Sequence, residues 1–395
     1  MASENLILTI NGGSSSIKFA VFDTADPPKR RLTGQMQRIG TSGTTLTIRN
    51  VGTTASIEEP VDAMDHRAAA RLLIERLQDH LGSNRLVAIG HRVVHGGPHL
   101  VDAQPVTPDL LDELRRLQPL DLAHLPREIA LIEAILEAFP DRTQVACFDT
   151  AFHRDLPRHA AMLPIPRRYF EAGVRRFGFH GLSYTYLMQR LALEAGPEAA
   201  QGKVVLAHLG SGASLAAVHR GRSVDTTMAF TPTAGLVMGT RPGDLDPGLL
   251  VYLMRTEQLS LTATDEFISH QCGLRGLSET SSDVRDLQNR RSTDVRAADA
   301  LDLFAYQCRK QIASMAAAMD GIHTLVFSGG IGEHASEMRE AICSGLSFLG
   351  LVLDDGANAR NLGVISADRS IVSVRVIRTD EEQVIATAVA NALRQ

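Results

Sequence analysis

The chain has 395 residues, 44% apolar and 22% charged, an ordinary globular composition. At roughly 150 residues per domain it is long enough for two or three domains with large cores. Its 40 Lys and Arg against 45 Asp and Glu give a formal net charge of −5 with no basic tract, which excludes wholesale binding to nucleic acid or to an anionic membrane.

In chain order, Leu6–Ile10 reads as a buried strand, the Gly/Ser loop Asn11–Ser16 as a turn, and Ile17–Phe22 as the returning strand of a hairpin. Pro27–Arg31 reads as a loop, and Thr41–Thr54, rich in Gly and Thr, as turn or strand. From Arg67 to Leu81 the apolar residues Ala69, Leu72, Leu73 and Leu77 mark one face of a helix, with Gly82 as its stop. Thr107-Pro108 opens a second helix, with Thr as N-cap and Pro in the first turn, and a third runs from near Pro126 to Phe139. Val145–Phe148 is a short strand ending at Asp149. Ser183 is expected to cap a helix that stops at Gly196. The longest helix spans Asp294 to Asp320, closed by Gly321, and the last begins at Glu381.

The opening pattern has an echo. Val204–Leu209, the loop Gly210-Ser211-Gly212-Ala213-Ser214, and Leu215–His219 repeat strand, Gly/Ser turn, strand, which hints at two similar domains. A third Gly-rich turn, Ser328–Gly332, follows the strand Thr324–Phe327 and precedes a helix. Glycines let backbone N–H groups approach an anion, so each turn is a candidate phosphate cradle; the alternative for each is a tight turn alone. None matches a Walker loop or a full G-x-G-x-x-G.

Other residue types suit anion chemistry. Gly90-His91-Arg92-Val93-Val94-His95 places an arginine and two histidines beside glycines; Arg92 is either a bidentate anion ligand or a surface ion pair. Asp149 ends a buried strand, where open α/β sheets display functional groups, although an acid there also serves as a helix cap. His180 lies between aromatics and glycines, and Arg241 sits on a Gly/Pro loop. Thr379-Asp380-Glu381-Glu382 suits the dipole of the last helix or a magnesium-linked role. Cys147, Cys272, Cys308 and Cys343 lie far apart without a C-x-x-C, which excludes a disulfide framework or cysteine-based zinc site and suits a reducing compartment. No apolar run approaches the ~20 residues of a membrane span, and Met1–Asn5 lacks a cationic signal-peptide start. A cytoplasmic protein is expected.

In order and spacing, these segments resemble the acetate kinase family over nearly the whole chain. The resemblance rests on Asn11–Lys18, Gly90–Gly97, Phe148–His153, Gly178–Gly181, Phe230–Pro232, Met238–Arg241, Gly329–Glu333 and Thr379–Glu382. It implies a two-domain α/β fold of the acetate and sugar kinase, Hsp70 and actin superfamily (ribonuclease H-like), with a nucleotide cleft between the domains. Residues 1–149 with 380–395 would form the N-terminal domain, carrying the acyl-substrate side and first phosphate loop, and 150–379 the nucleotide-binding domain. It also implies a homodimer and a Mg²⁺-dependent (or Mn²⁺-dependent) transfer from ATP to acetate, giving acetyl phosphate and ADP.

By the same resemblance Asn11, Arg92, Asp149, His180 and Arg241 are catalytic. Arg92, Val94, Ala123, Phe179 and Pro232 hold the carboxylate and its methyl group, and Asn11 and Glu381 serve the metal. The nucleotide falls to Lys18, to His208, Leu209, Gly210, Ser211 and Gly212, to Asp283, Val284 and Arg285, and to Gly330, Ile331 and His334. Ser14, Ser16 and His124 also match family positions. The chain departs from the family's usual Leu at Ala123, Asn at Leu125, Asn at Ser211, His at Tyr184 and Asn at His334. The first of these removes pocket wall, so tolerance of propionate is expected. A propionate kinase, a chaperone-like ATPase and a non-catalytic nucleotide-binding protein are the competing readings.

Overall fold

The protein is described from a computed structural model covering residues 4–13, 15–53, 56–81, 85–122 and 124–394. Contacts divide the chain into two compact units, Met1–Ala151 with Asp380–Gln395, and Phe152–Thr379.

The first unit holds β1 (Asn5–Gly12), β2 (Ser16–Asp23), β3 (Arg30–Gln37), β4 (Thr45–Asn50), β5 (Ser56–Pro60), β6 (Arg85–Val93), β7 (Gln104–Pro105) and β8 (Thr143–Phe148). Their order in one sheet is β5-β4-β3-β2-β1-β6-β8-β7. The hairpin β1/β2 is antiparallel, whereas β6 runs parallel to both β1 and β8. Leu6 to Ile10 is buried without alternation because both faces of β1 are covered. Helices α1 (His66–Leu81) and α3 (Leu125–Ala138) pack together, and their Leu73, Leu77, Leu131 and Ile135 join Leu6, Leu8 and Ile10 in one core. The C-terminal helix, Glu381–Ala392, lies against β1, β6 and β8. It comes so near that a Cβ on Gly90 would stand 2.3 Å from Ile385 and 2.7 Å from Val389, so only glycine fits there. Helix α2 (Pro108–Leu117) begins as expected, with the Thr107 hydroxyl accepting from the Leu110 N–H.

The second unit holds β9 (Lys203–Leu209), β10 (Ala213–His219), β11 (Arg222–Thr226), β12 (Thr324–Ser328) and β13 (Ser373–Val376), in the order β11-β10-β9-β12-β13. Here too an antiparallel hairpin, β9/β10, has its first strand parallel to the next one, β12. The echo in the sequence is therefore an echo in topology. The helix Gly181–Ala195 packs Tyr184, Leu187 and Leu191 on Val204, Leu206, Ala216 and Val218. The long helix Val295–Ala318 is capped by Asp294 and buries Leu301, Phe304, Cys308 and Ile312.

Several expectations need correction. Ser183 is not a cap: His180 precedes the helix in a left-handed conformation, φ 59°, and Ser183 lies within the first turn. Arg30 and Arg31 belong to β3 rather than to a loop: Arg30 pairs with Phe22 of β2, and Arg31 falls at the register shift beside it. The third Gly-rich turn is not a connector before a helix; Gly329–His334 is itself helical. The Gly82 stop lies outside the described residues. All four cysteines are free.

Candidate active site

In the first unit, functional groups cluster at the ends of the parallel strands. Arg92 is next to last in β6 and Asp149 directly follows β8, its neighbour in the sheet. The Arg92 guanidinium donates from Nε (3.2 Å) and Nη2 (2.7 Å) to Oδ2 of Asp149, which is fully buried. Its Nη1 reaches the Gly12 carbonyl at 3.4 Å and stands 3.6 Å from Glu128 Oε1. The ion pair is thus a buried one, not a surface pair. Burial opposes charge on Arg92, but Asp149, Glu128 and Glu381 outweigh it and hold its pKa above the ordinary value.

Asn11, in the last turn of pleat of β1, donates from Nδ2 to Glu381 Oε2 at 2.8 Å. Glu381 is therefore engaged by the site and does more than answer a helix dipole. Lys18 is the register partner of Asn11 on β2 and is exposed. Val94 is buried, and its N–H donates to Glu128 Oε2 at 2.9 Å. His124 starts α3 with Nδ1 2.9 Å from Asp121. Burial works to raise Asp121, but the hydrogen bond and charge of His124 bring it below the usual range.

Glu128 is a site residue that the sequence reading missed. Burial pushes its carboxyl up to about 7, against the pull of Arg92 and of the Val94 N–H. Its Oε1 is buried without a hydrogen bond among the described residues. The signal was available: Leu125, Glu128, Ile132 and Ile135 share the buried stripe of α3, and an acid on an apolar stripe is unusual. His91, beside Arg92, is structural by contrast. His91 is buried and burial drives its pKa down to about 4, so it is neutral, donating from Nε2 to Gln144.

In the second unit, two imidazoles stack with centroids 4.3 Å apart, His180 from the helix entry and His208 from β9. Nδ1 of His180 lies 2.8 Å from the Ser214 hydroxyl, and Nδ1 of His208 lies 2.8 Å from the Ser183 hydroxyl. Ser183 in turn meets Thr379 at 2.8 Å. Buried His153 bonds the Phe179 carbonyl through Nε2 and Ser223 through Nδ1. A carbonyl only accepts, so His153 carries its proton on Nε2 and anchors the turn that presents His180. Arg241 donates from Nη1 to the Pro232 carbonyl. A Cβ on Gly212 would stand 2.9 Å from Arg241 Nη2 and 3.4 Å from His180 Nε2. The glycine loop, the arginine and the histidine thus meet at one place in this unit, with Pro232 alongside. Phe179 is buried and Pro232 half-buried.

The Gly-rich turns are less open than their composition suggests. Each uses an amide internally: Gly13 N–H on the Ser16 carbonyl, Gly210 N–H on the Gly212 carbonyl, and Gly329 N–H on the buried Glu333 carboxylate. Ser211 and Gly330 are exposed while Leu209 and Gly329 are buried, so the two turns of the second unit display only their tips. These turns follow adjacent parallel strands, with His208 opposite Ser328. Asp283 caps the helix Val284–Arg290 and forms a two-pronged pair with Arg285, which holds its carboxyl below the usual range. Val284 is buried, Ile331 half-buried and His334 exposed. Ala123 and Ser14 lie outside the described residues.

Similarity to known proteins follows the same lines. A profile of the acetokinase family matches residues 6–387. The acetate kinase of Rhodopseudomonas palustris is 42% identical over 387 residues, covering 97% of both chains. The propionate kinase of Citrobacter rodentium is 41% identical over 388 residues, covering 96% of this chain and 95% of its own. The crystal structure of a propionate kinase from Francisella tularensis superposes with a TM-score of 0.91 at 33% identity, over 99% of this chain and 100% of that one.

Proposed function

The chain belongs to the acetokinase family and is an ATP-dependent phosphotransferase acting on a short-chain carboxylate, and on that premise we propose that its substrate is acetate, converted reversibly to acetyl phosphate by direct in-line transfer. Its two-domain α/β fold is that of the acetate and sugar kinase, Hsp70 and actin superfamily.

Acetate and a terminal phosphoryl group are both anions and repel one another. Catalysis is therefore chiefly positioning and charge neutralisation. In this reading Arg92 and Arg241 neutralise the carboxylate and the transferring phosphoryl, His180 donates to its equatorial oxygens, and Asn11 contacts it. Losing one such donor typically costs ~2.7–4 kcal/mol of transition-state stabilisation. Acetate is already ionised at neutral pH, so no general base is required. Val94, Ala123, Phe179 and Pro232 are the residues assigned to the methyl group. Lys18, the His208–Gly212 loop, Asp283–Arg285 and the Gly330–His334 segment hold ATP or ADP. The observation that carries the reading is that each unit supplies a guanidinium built into place, Arg92 on Asp149 and Arg241 on Pro232 beside His180.

Magnesium fits this set as a substrate-bridged ion. Among the described residues no group of three His, Cys, Asp or Glu could hold a metal alone. Mg²⁺ ordinarily takes one or two carboxylates and fills its shell with waters and substrate phosphates. Glu381 and Asn11, joined through Asn11 Nδ2, would offer hard oxygens of that kind, and Asp149 would help to hold the ion or its water. When bound, the ion would neutralise charge on the phosphates.

Two further readings accompany this one. Propionate is accepted more readily than by a typical acetate kinase, because Ala123 stands where the family usually has Leu; about three fewer carbons at ~0.8 kcal/mol each widen the pocket. The protein works as a cytoplasmic homodimer: no described helix is long and apolar enough to cross a membrane, and the helix Pro247–Thr256 buries none of its residues while Leu249, Val251 and Tyr252 lie exposed. A hydroxamate trap of acyl phosphate formed from ATP with acetate, propionate or butyrate tests the substrate. Acetate-dependent product is expected, with propionate next; ATP consumption that ignores every carboxylate would end the proposal.

A further inference from the structure

We infer that Tyr184 and Ser214 are positioning residues that fix His180 as a neutral imidazole with its proton on Nε2. The inference rests on the reading of His180 as a donor to the phosphoryl group, and concerns how this chain prepares that donor.

Three groups form a line in the second unit. The Tyr184 hydroxyl meets Ser214 Oγ, and Ser214 Oγ meets His180 Nδ1 at 2.8 Å. Tyr184 and Ser214 are both fully buried. Tyr184 is held by its ring, with centroids 5.6 Å from Phe152 and 5.7 Å from His153, so its hydroxyl is aimed by packing. Its helix position is one turn beyond His180, whose carbonyl accepts the Tyr184 N–H.

The chemistry of the line gives it a direction. A phenol, with a pKa near 10, is a far stronger donor than an aliphatic hydroxyl. Tyrosine therefore gives its proton to the serine oxygen. Serine has one proton, and with its oxygen already accepting, that proton goes to His180 Nδ1. Nδ1 is then an acceptor and unprotonated, so the ring proton sits on Nε2. That is the nitrogen 3.4 Å from the Cβ position of Gly212, on the side where Arg241 Nη2 stands. An imidazolium would instead donate from Nδ1 into Ser214 Oγ, and the proton of that fully buried serine would lose its acceptor. The line thus leaves positive charge to Arg241 and keeps His180 as a directed hydrogen-bond donor.

Two measurements test this. The first is the ¹⁵N–¹H correlation spectrum of the histidine-labelled full chain at neutral pH, with His180 assigned by its loss in His180→Ala. The expected pattern is an unprotonated Nδ1 and protonated Nε2, changing toward a mixture in Tyr184→Phe. The second is kinetics. Tyr184→Phe and Ser214→Ala are each expected to lower kcat by about tenfold with KM for acetate and ATP unchanged, and the double variant by no more than either. A protonated Nδ1 in the wild-type spectrum overturns the inference, and that spectrum decides even if the variants fail to fold. Full turnover in Tyr184→Phe alongside an inactive His180→Ala overturns it as well. Full turnover in His180→Ala would instead remove the reading of His180 itself.

Discussion

The two units of this protein carry out one kind of task by opposite means. In the first, Arg92 is held by charge: Asp149 and Glu128 are both buried against it, and Glu381 adds to the field. In the second, His180 and His208 are held by neutral hydroxyls, and Arg241 by a carbonyl. A charged anchorage is stiff but leaves buried carboxylates behind if broken. A neutral one is weaker bond for bond, yet it sets which nitrogen of an imidazole bears the proton. The strand ends are topologically equivalent, so the difference lies in the side chains rather than in the fold.

The largest test of that contrast is to remove each arginine. Arg92→Ala is expected to abolish turnover and to cost about 3–5 kcal/mol of stability, because Asp149 and Glu128 are left buried without a countercharge. Arg241→Ala is expected to lose turnover to a similar degree but only roughly 1.5–3 kcal/mol of stability, the scale of a hydrogen bond from a charged donor. Denaturant titrations at two pH values test the charged anchorage: the Arg92 variant recovers stability in acid, where the stranded carboxylates take up protons. Equal, pH-independent losses would mean the first unit is not held by charge.

Glu128 sharpens the comparison within the first unit. Its carboxyl lies at about 7 in the folded protein against 4.5 for the free side chain, because burial disfavours its charge. The folded state therefore binds more protons than the unfolded one between those values. The stability Glu128 contributes is whole below 4.5 and is lost as pH rises through about 7, on the order of 3 kcal/mol in all at 1.36 kcal/mol per unit. Glu128→Gln is neutral throughout and is expected to flatten the stability profile across that window. A variant whose profile parallels the wild type would place the Glu128 proton elsewhere.

The dimer proposal predicts an intermediate effect. Leu249→Glu and Tyr252→Glu on the helix Pro247–Thr256 are expected to convert a dimer to monomer in sedimentation, with little change in the stability of the first unit. A wild-type chain that sediments as a monomer would leave that apolar face without its proposed partner.

Much of this architecture was legible from the residues. The hairpins at Leu6–Phe22 and Val204–His219 announced themselves through unbroken apolar runs around Gly/Ser turns, and the cap Thr107 through residue type. Arg92, Asp149, Asn11 and Glu381 each stood in a short motif, but the Arg92–Asp149 pair and the Asn11–Glu381 bond were not legible, since only the sheet and the C-terminal helix bring those residues together. Glu128 was hidden because an acid in a helix's first turn satisfies the dipole, and its burial is decided by tertiary packing. Ser183 was misread for a related reason. A serine before an apolar run is the usual sign of a cap, but His180 takes that place in a left-handed turn, and the serine hydroxyl is committed to His208 and Thr379.

That misreading supplies the smallest test of the contrast. Ser183→Ala deletes a neutral hydrogen bond to an imidazole rather than a charged one to a guanidinium. The expected loss is about 1 kcal/mol of stability, several times less than for Arg92→Ala, because no charge is stranded. His208 belongs in the proposed function to the nucleotide loop, so the change should appear in KM for ATP before it appears in kcat for acetate. The ratio of the two losses, charged over neutral, measures how differently the units are held. If Ser183→Ala proves as costly as Arg92→Ala, the hydroxyl–imidazole lines are as rigid as the ion pair, and the distinction between the two anchorages disappears.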